Sequence, residues 1–102
     1  MYFVYMLRCE DNSLYTGITN DFEKRYEKHT GRLASAAKYT KSRRVVGVAA
    51  LWNAPGKSDA LKLEYRIKKL TKKKKEYLVL HPEEVNNLLP GTEYVYIREV
   101  LK

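Results

Sequence analysis

Two short stretches at the start of the chain have the pattern of β-strands joined by a turn. Residues 2–9, YFVYMLRC, are apolar on both alternating faces, which is typical of a strand covered on both sides. The polar segment EDNS contains turn formers, and LYTGIT then resumes β-prone residues. The pattern therefore predicts a β-hairpin over residues 2–19.

The pattern changes from strand to helix directly after this hairpin. Asn20 or Asp21 can cap a helix that continues to about Thr30. One stripe of this helix, at i, i+3, i+4 and i+7, consists of Phe22, Arg25, Tyr26 and His29. Arg25 and His29 are therefore expected to border the face that packs toward the sheet.

The remainder of the chain predicts a third strand and further helices. VVGVAALW is a β-rich run that ends at the Pro55–Gly56 turn. Ser58 can cap a second helix, whose apolar stripe is Ala60, Leu63, Ile67 and Leu70. Thr71 can cap a short helix over KKKKEYLVL, and Pro82 suits the first turn of PEEVNNLL.

The pattern of two further segments is compatible with more than one structure. Residues 32–44, RLASAAKYTKSRR, suit a surface loop or a short helix, and TEYVYIREV favours a strand over a helical tail. The order of elements predicts a small α/β domain with a three-stranded mixed central sheet, including the N-terminal hairpin, flanked by helices. We expect residues 1–80 to form the functional domain and residues 81–102 to be an extension packed on the same domain.

Composition supports one folded, soluble domain. The 102 residues are 44% hydrophobic and 12% aromatic, which argues against disorder. The single cysteine, Cys9, cannot form an internal disulfide, so a reducing compartment fits. The sequence has no run of about 18 apolar residues and no signal-like start. We therefore expect a cytoplasmic protein.

The charge balance suggests a class of partner. Twenty lysines and arginines stand against 12 acidic residues, which gives a net charge of +8 and an isoelectric point near 9.6. Such an excess favours polyanions, of which nucleic acid is the commonest. An ordinary solubilising surface would have the same balance, and KLTKKKKEYL fits a solvated helix face equally well.

Several side chains are suited to phosphate chemistry: Tyr5, Tyr15 beside Gly17, Arg25, His29 and Glu64. Arginine offers a planar fork of donors for phosphate, and histidine exchanges protons near neutral pH. Tyrosine, with a pKa of about 10, is a poor base unless nearby positive charge lowers that value. A glutamate oxygen suits Mg²⁺ or Mn²⁺.

Each of these residues also has a purely structural interpretation. Tyrosine occurs nine times, so the two hairpin tyrosines fit sheet packing. Arg25 and His29 fit an ordinary helix edge, and Gly17 fits a sharp turn. Glu64 stands four residues before Lys68, a spacing that stabilises a helix by about 0.2–0.5 kcal/mol. The sequence contains no zinc-ligand cluster, phosphate-cradling glycine loop or Ser/His/Asp pattern.

The ordered set of these residues resembles the GIY-YIG nuclease superfamily. Val4-Tyr5-Met6 and Tyr15-Thr16-Gly17 match the two tripeptides that name it, followed by Arg25, His29 and Glu64. The segments VYMLRCEDNSLYTGITNDFEKRYEKH, AAKYTKSRR and ALKLEYRIKKLTKKKKEYLV are similar to its small stand-alone bacterial branch. The resemblance covers residues 2 to about 80.

The sequence departs from the family pattern at two points. Val4, Met6 and Thr16 replace the Gly and Ile of the name-giving tripeptides, which a strand tolerates. Many members also have an asparagine beyond the metal-binding glutamate, and Asn86 and Asn87 lie too far along to align. Either that role is dispensable in this branch or activity is reduced.

The resemblance implies a DNA endonuclease that hydrolyses phosphodiester bonds with one Mg²⁺ or Mn²⁺ bound to Glu64. It implies that Arg25 stabilises charge on the phosphate, that Gly17 shapes the site, and that Tyr5, Tyr15 or His29 is the general base. The expected contacts to the nucleic-acid backbone are Lys38, Tyr39, Lys41, Arg43 and Arg44; alternatively, these form only a flexible basic loop.

The expected partner is single-stranded, duplex or branched DNA, recognised with little sequence specificity by a monomer with a role in DNA repair or processing. A catalytically inactive nucleic-acid-binding module with the same fold is the alternative.

Overall fold

A four-stranded antiparallel sheet forms the centre of the molecule. In this computed structural model the described residues are 2–29, 44–90 and 94–97, without the side chains of residues 28 and 29. The strands are β1 (Tyr2–Cys9), β2 (Leu14–Thr19), β3 (Val45–Ala54) and β4 (Val95–Tyr96). Their spatial order is β2-β1-β3-β4, and each neighbouring pair is antiparallel, so β1 lies inside the sheet and β2 at its edge.

Helices cover both faces of this sheet. They are α1 (Phe22–His29), α2 (Lys57–Lys69), α3 (Lys72–Leu80), a 3₁₀ turn (Pro82–Glu84) and α4 (Val85–Leu88). None of the helices in the described part of the chain combines the length and apolar content needed to cross a membrane.

Capping side chains set two of the helix starts as the sequence predicts. The Asp21 carboxylate accepts a hydrogen bond from the Lys24 amide at 3.2 Å, and the Thr71 hydroxyl accepts one from the Lys74 amide at 3.2 Å. The prediction of Ser58 as a cap is wrong, because Gly56 is the N-cap and α2 already begins at Lys57. The turn after β3 is shorter than the pattern suggested.

The sheet separates two apolar clusters, and this explains why β1 is apolar on both faces. On one face Val4 and Met6 pack with Trp52 and with Leu63 and Ile67 of α2. On the opposite face the cluster consists of Tyr5, Leu7, Cys9, Phe22, Val45 and Leu51. The first residue of α1, Phe22, therefore closes one face of the sheet, while α2 closes the other.

The α/β class and the N-terminal hairpin flanked by helices are confirmed, but the predicted three-stranded mixed sheet is not. β3 pairs with β1, so it runs in the same direction as β2 without touching it. The two co-directional strands are separated by β1, which leaves only antiparallel neighbours. β4 adds a fourth strand through a two-residue pairing with β3.

Residues beyond 80 contribute to the same core. Pro82, Val85 and Tyr94 are buried, and the Trp52 indole donates a hydrogen bond to the Pro82 carbonyl at 2.9 Å. The Asn86 amide group holds the backbone of Tyr94 through two hydrogen bonds of 2.8 Å. Asn86 therefore has a structural role here. The domain boundary at residue 80 stays a prediction.

Candidate active site

The hairpin brings the two name-giving tyrosines and the glycine to one face of the sheet. In the register of β1 and β2, Tyr5 pairs with Gly17 and Leu7 pairs with Tyr15. Because directly paired residues point the same way, all four share the face covered by α1. The rings of Tyr5 and Tyr15 have centroids 6.3 Å apart and are tilted by 41°.

Gly17 is required by the close approach of the Tyr5 phenol. A Cβ atom at position 17 would lie 2.4 Å from the Tyr5 hydroxyl oxygen and 2.6 Å from Cζ. The phenol therefore extends from the inner strand β1 across the backbone of the edge strand β2. In this way a ring that is 2% exposed reaches the border of the sheet.

Helix α1 holds this arrangement in place from above. The Phe22 ring lies with its centroid 5.7 Å from that of Tyr5, and the Tyr26 ring stacks on Phe22 at the same separation. The capping of α1 by Asp21 fixes where this helix starts relative to β2. The Tyr5 ring is therefore packed by Tyr15 and Phe22, and Tyr26 supports Phe22 from behind.

Arg25 lies near the start of α1, and its positive charge partly opposes the rise in the pKa of the Tyr5 phenol that burial causes. It also contributes to a polar pocket between the end of β2 and the start of α1. The residues that line this pocket are Thr19, Asn20, Asp21, Lys24 and Arg25. The sequence did not single out Lys24 as a site residue; its place directly beside Arg25 at the capped helix start was the available signal.

Glu64 approaches from the other side of the sheet. It is on α2, whose buried stripe packs on the face opposite Tyr5, and its side chain is 20% exposed. Its carboxylate lies 3.3 Å from the Lys68 ammonium, so the ion pair expected from their spacing is present. The negative charge of Glu64 nevertheless raises the pKa of Tyr5. The acid and the phenol are thus electrostatically coupled although α2 and α1 lie on opposite faces.

The Tyr5 hydroxyl is strongly held in its protonated form. Burial makes the largest contribution, raising its pKa well above the ordinary value, and electrostatic interactions with Tyr15 and Glu64 raise it further, while the charge of Arg25 opposes them. In the protein alone, Tyr5 is therefore a hydrogen-bond donor at neutral pH and a poor proton acceptor.

The remaining predicted site residues fall on or near the segment between α1 and β3. His29 ends α1, and its side chain lies outside the described residues, as do Lys38, Tyr39, Lys41 and Arg43. Arg44 is exposed just before β3, and its carbonyl accepts a hydrogen bond from the Glu10 amide at 2.8 Å. This contact places the backbone of Arg44 at the turn of the hairpin.

Comparison with known proteins identifies the family. The GIY-YIG catalytic domain matches residues 1–77. The chain belongs to the GIY-YIG family. Among its relatives, a UPF0213 protein of Fusobacterium nucleatum is 41% identical over 97% of each chain. The UPF0213 protein YazA of Bacillus subtilis is 42% identical over 95% of this chain and 90% of its own.

A solved structure has the same fold. The solution NMR structure of a UPF0213 protein from Bacillus halodurans is 40% identical, with a TM-score of 0.52 over 90% of this chain and all of the other. The prediction of a small stand-alone GIY-YIG protein is therefore confirmed.

Proposed function

We propose that this GIY-YIG protein is a metal-dependent nuclease that hydrolyses phosphodiester bonds at the β1–β2–α1 site. The observation that carries the proposal is the position of the Tyr5 phenol, which lies across Gly17 of the edge strand β2 and beside Tyr15, on the face covered by α1 with its Arg25. Arg25 and Glu64 supply the cation that a phosphodiester cleavage site needs for the phosphate and the carboxylate that it needs for a divalent ion.

Arg25 stabilises the charge that develops on the phosphate during attack. Its guanidinium keeps its charge at any physiological pH and offers parallel donors that match phosphate oxygens. One oriented donor of this kind is worth a factor of about 10²–10³ in rate. Lys24, which lines the same pocket, adds positive charge beside it.

Glu64 is the carboxylate suited to hold one Mg²⁺ or Mn²⁺. Its side chain is 20% exposed, and these ions commonly bind one or two carboxylates with water and phosphate as the other ligands. When bound, the ion supplies Lewis-acid stabilisation of phosphate oxygens. Lys68 would have to release Glu64 or share it, because its ammonium lies 3.3 Å from the carboxylate.

Tyr5 positions the attacking water through its hydroxyl. Its raised pKa makes direct proton abstraction unfavourable in the free protein, so the proton acceptor is Tyr15 or His29, or Tyr5 after its electrostatic surroundings have changed. We assign the substrate as DNA, contacted without sequence preference through the phosphate backbone by the segment that ends at Arg44.

A cleavage assay tests this function. The protein is incubated with labelled single-stranded, duplex and branched DNA, with Mg²⁺, with Mn²⁺ or with chelator. We expect cleavage only with metal, and a loss of at least 10²-fold in Arg25→Ala and in Glu64→Gln. Glu83→Gln, an exposed carboxylate in the 3₁₀ turn, serves as the matched control and retains activity.

Two results would contradict the proposal. Cleavage that survives unchanged in both Arg25→Ala and Glu64→Gln would remove the proposed chemistry. Equal retardation of DNA with and without metal, followed by release of intact strands, would instead identify a nucleic-acid-binding module without catalysis.

A further inference from the structure

The positive charge of the chain is concentrated in two segments. Residues 66–75, RIKKLTKKKK, contain seven basic residues and no acidic one. Residues 30–44 contain five basic residues and no acidic one, so the rest of the chain has 8 basic against 12 acidic residues and is net negative. A surface that only serves solubility mixes both signs, whereas a nucleic-acid footprint concentrates one sign.

The first of these segments, which we call the basic corner, joins the end of α2 to the start of α3. Lys73, Lys74 and Lys75 follow Lys72, the first residue of α3, and lie in the first turn of that helix. Cations at the start of a helix face the positive end of its dipole and are destabilising there. Within the described residues, no carboxylate lies within ion-pair distance of these three lysines. Neither helix stability nor ion pairing therefore accounts for them.

The basic corner lies at the hairpin-turn end of the sheet, where Arg44, the last residue of the second basic segment, also lies. The Lys72 ammonium donates to the Asn12 carbonyl at 2.6 Å, and the Glu10 amide donates to the Arg44 carbonyl at 2.8 Å. The corner also continues directly from the site, because Lys68, one helical turn beyond Glu64, contacts its carboxylate. A polyanion bound at the corner can thus extend along α2 to the site.

An exposed aromatic ring adjoins the corner. Tyr65 on α2 is 63% exposed, and the Lys69 ammonium lies 5.2 Å from the centre of its ring. A tyrosine ring that is open to solvent and has an ammonium group beside it is suited to stack on a nucleic-acid base. Only an unpaired base offers a free face for this, because in a duplex both faces are occupied by neighbouring base pairs.

We propose that the basic corner together with Tyr65 is a docking surface for an unpaired nucleic-acid strand, separate from the cleaving groups. The lysines of α3 contact successive phosphates, and Tyr65 stacks on a base between the corner and Glu64. This deepens the proposed nuclease function, on which it rests, by assigning substrates that contain a single-stranded segment next to the cleavage site.

Binding without cleavage tests the surface. Affinities for a fluorescein-labelled 20-nucleotide oligothymidylate and for a 20-base-pair duplex are measured by fluorescence anisotropy, in chelator, at several KCl concentrations. The double variant Lys73→Gln/Lys74→Gln should bind the single strand about tenfold more weakly, with a salt slope smaller by about 1.4. Its melting temperature should be equal or higher, since cations leave the positive helix end.

Control variants show whether the position of the lysines and the ring of Tyr65 matter for binding, or only the net charge of the protein. Lys57→Gln/Lys62→Gln removes two exposed lysines from α2 outside the corner and should stay within about twofold of the unsubstituted protein. Tyr65→Ala should weaken single-strand binding about tenfold and leave duplex binding unchanged, whereas Tyr65→Phe should retain both.

Several outcomes would overturn the assignment. Equal losses in the two lysine double variants would mean that net charge alone drives binding. Equal effects of Tyr65→Ala on single strand and duplex would remove the preference for unpaired bases. Lysine-dependent binding to phosphatidylserine vesicles without binding to the oligonucleotide would identify a membrane surface instead.

Failure of this surface and failure of the proposed nuclease are distinguishable. Metal-dependent cleavage with equal binding by both lysine double variants would leave the nuclease intact and reject the corner. Binding that depends on the corner, without any cleavage, would support the corner and reject the nuclease.

Discussion

The contact between Gly17 and Tyr5 links two strands at the level of single side chains. Tyr5 reaches the sheet edge only because position 17 has no side chain, and its ring is fixed there by Tyr15 and Phe22. The same packing removes the phenol from water and raises its pKa. Gly17 therefore permits both the position of the proposed orienting group and the burial that raises its pKa.

Substitution of Gly17 by alanine tests this link. The new Cβ would lie 2.4 Å from the Tyr5 hydroxyl oxygen, and the packed ring cannot move aside freely. We expect the free energy of unfolding to fall by about 1–3 kcal/mol and any nuclease rate to fall at least tenfold. Gly47→Ala is the matched control, because a Cβ at that position of β3 meets no atom within 4 Å. Similar behaviour of the two variants in denaturant titration would contradict the steric argument.

The raised pKa of Tyr5 predicts a loss of stability in alkali. Between the unfolded pKa of about 10 and the higher folded value, the folded protein binds one proton more, so stability falls as pH rises above about 10. The contribution of this one group amounts to about 1.4 kcal/mol per pH unit. Denaturant titrations between pH 8 and 12 should show a shallower decline in Tyr5→Phe. Tyr65→Phe, at an exposed position, should follow the unsubstituted protein.

Sequence patterns located the candidate residues but not their electrostatics. The strand pattern was sufficient to pair Tyr5 with Gly17's strand, and the stripe of α1 was sufficient to orient Arg25 toward the sheet. The raised pKa of Tyr5 could not be derived in this way. It depends on how deeply Phe22 and Tyr15 enclose the ring, which is a property of the folded packing.

Among the secondary-structure elements, α3 is tied to the hairpin by an ion-pair network. Arg8 in β1 forms a bidentate pair with Glu76 of α3, with N–O distances of 2.6 and 2.7 Å. Lys72 lies 2.9 Å from the same carboxylate and also donates to the Asn12 carbonyl in the hairpin turn. The network joins the basic corner to the sheet.

This network predicts a specific dependence of stability on acid. Hydrogen bonds from Arg8 and Lys72 lower the pKa of Glu76 to about 2. Its contribution is therefore present above the unfolded pKa of about 4.5 and is lost as pH falls toward 2. Because the side chain is 32% exposed, we expect only about 1 kcal/mol.

The measurement compares Glu76→Gln with the unsubstituted protein. Thermal unfolding at pH 7 should be easier in the variant, and the difference should vanish between pH 4.5 and 2. The control is Glu10→Gln, an exposed acid beside the hairpin turn. A difference between Glu76→Gln and the unsubstituted protein that persisted at pH 2 would contradict the assignment.

Local sequence patterns predicted most of the helices and strands. They failed where the structure of a segment depends on the strand that pairs with it. The Thr71 cap and the apolar stripe of α2 are present as the pattern indicated. β4 extends over only Val95 and Tyr96 in the described part of the chain, because its pairing depends on where β3 offers a free edge. The alternation of polar and apolar residues along TEYVYIREV does not indicate which strand edge is free to pair with it.

For the molecule as a whole, the segment after residue 80 completes the core. Trp52, the single tryptophan, is fully buried and donates to the carbonyl of Pro82, while Val85 and Tyr94 close the same cluster. The strand order could not be derived from the sequence either, because β1 pairs on both sides and only the fold determines which strand takes which edge.

Truncation after Leu80 tests the contribution of this segment. The shortened chain loses the cover of Trp52 and leaves its indole N–H without the Pro82 carbonyl. We expect a melting temperature lower by at least 10 °C and red-shifted tryptophan fluorescence. The more conservative Val85→Ala should lower the free energy of unfolding by about 1–3 kcal/mol. An unchanged emission maximum in the truncated protein would mean that residues 1–80 form a complete core.

The crossing of Tyr5 over Gly17 also constrains how relatives of this protein can diverge. A mutation that adds a side chain at position 17 becomes tolerable only after the aromatic ring at position 5 has been replaced by something shorter. The two sites are therefore expected to coevolve, with glycine retained wherever the phenol is retained.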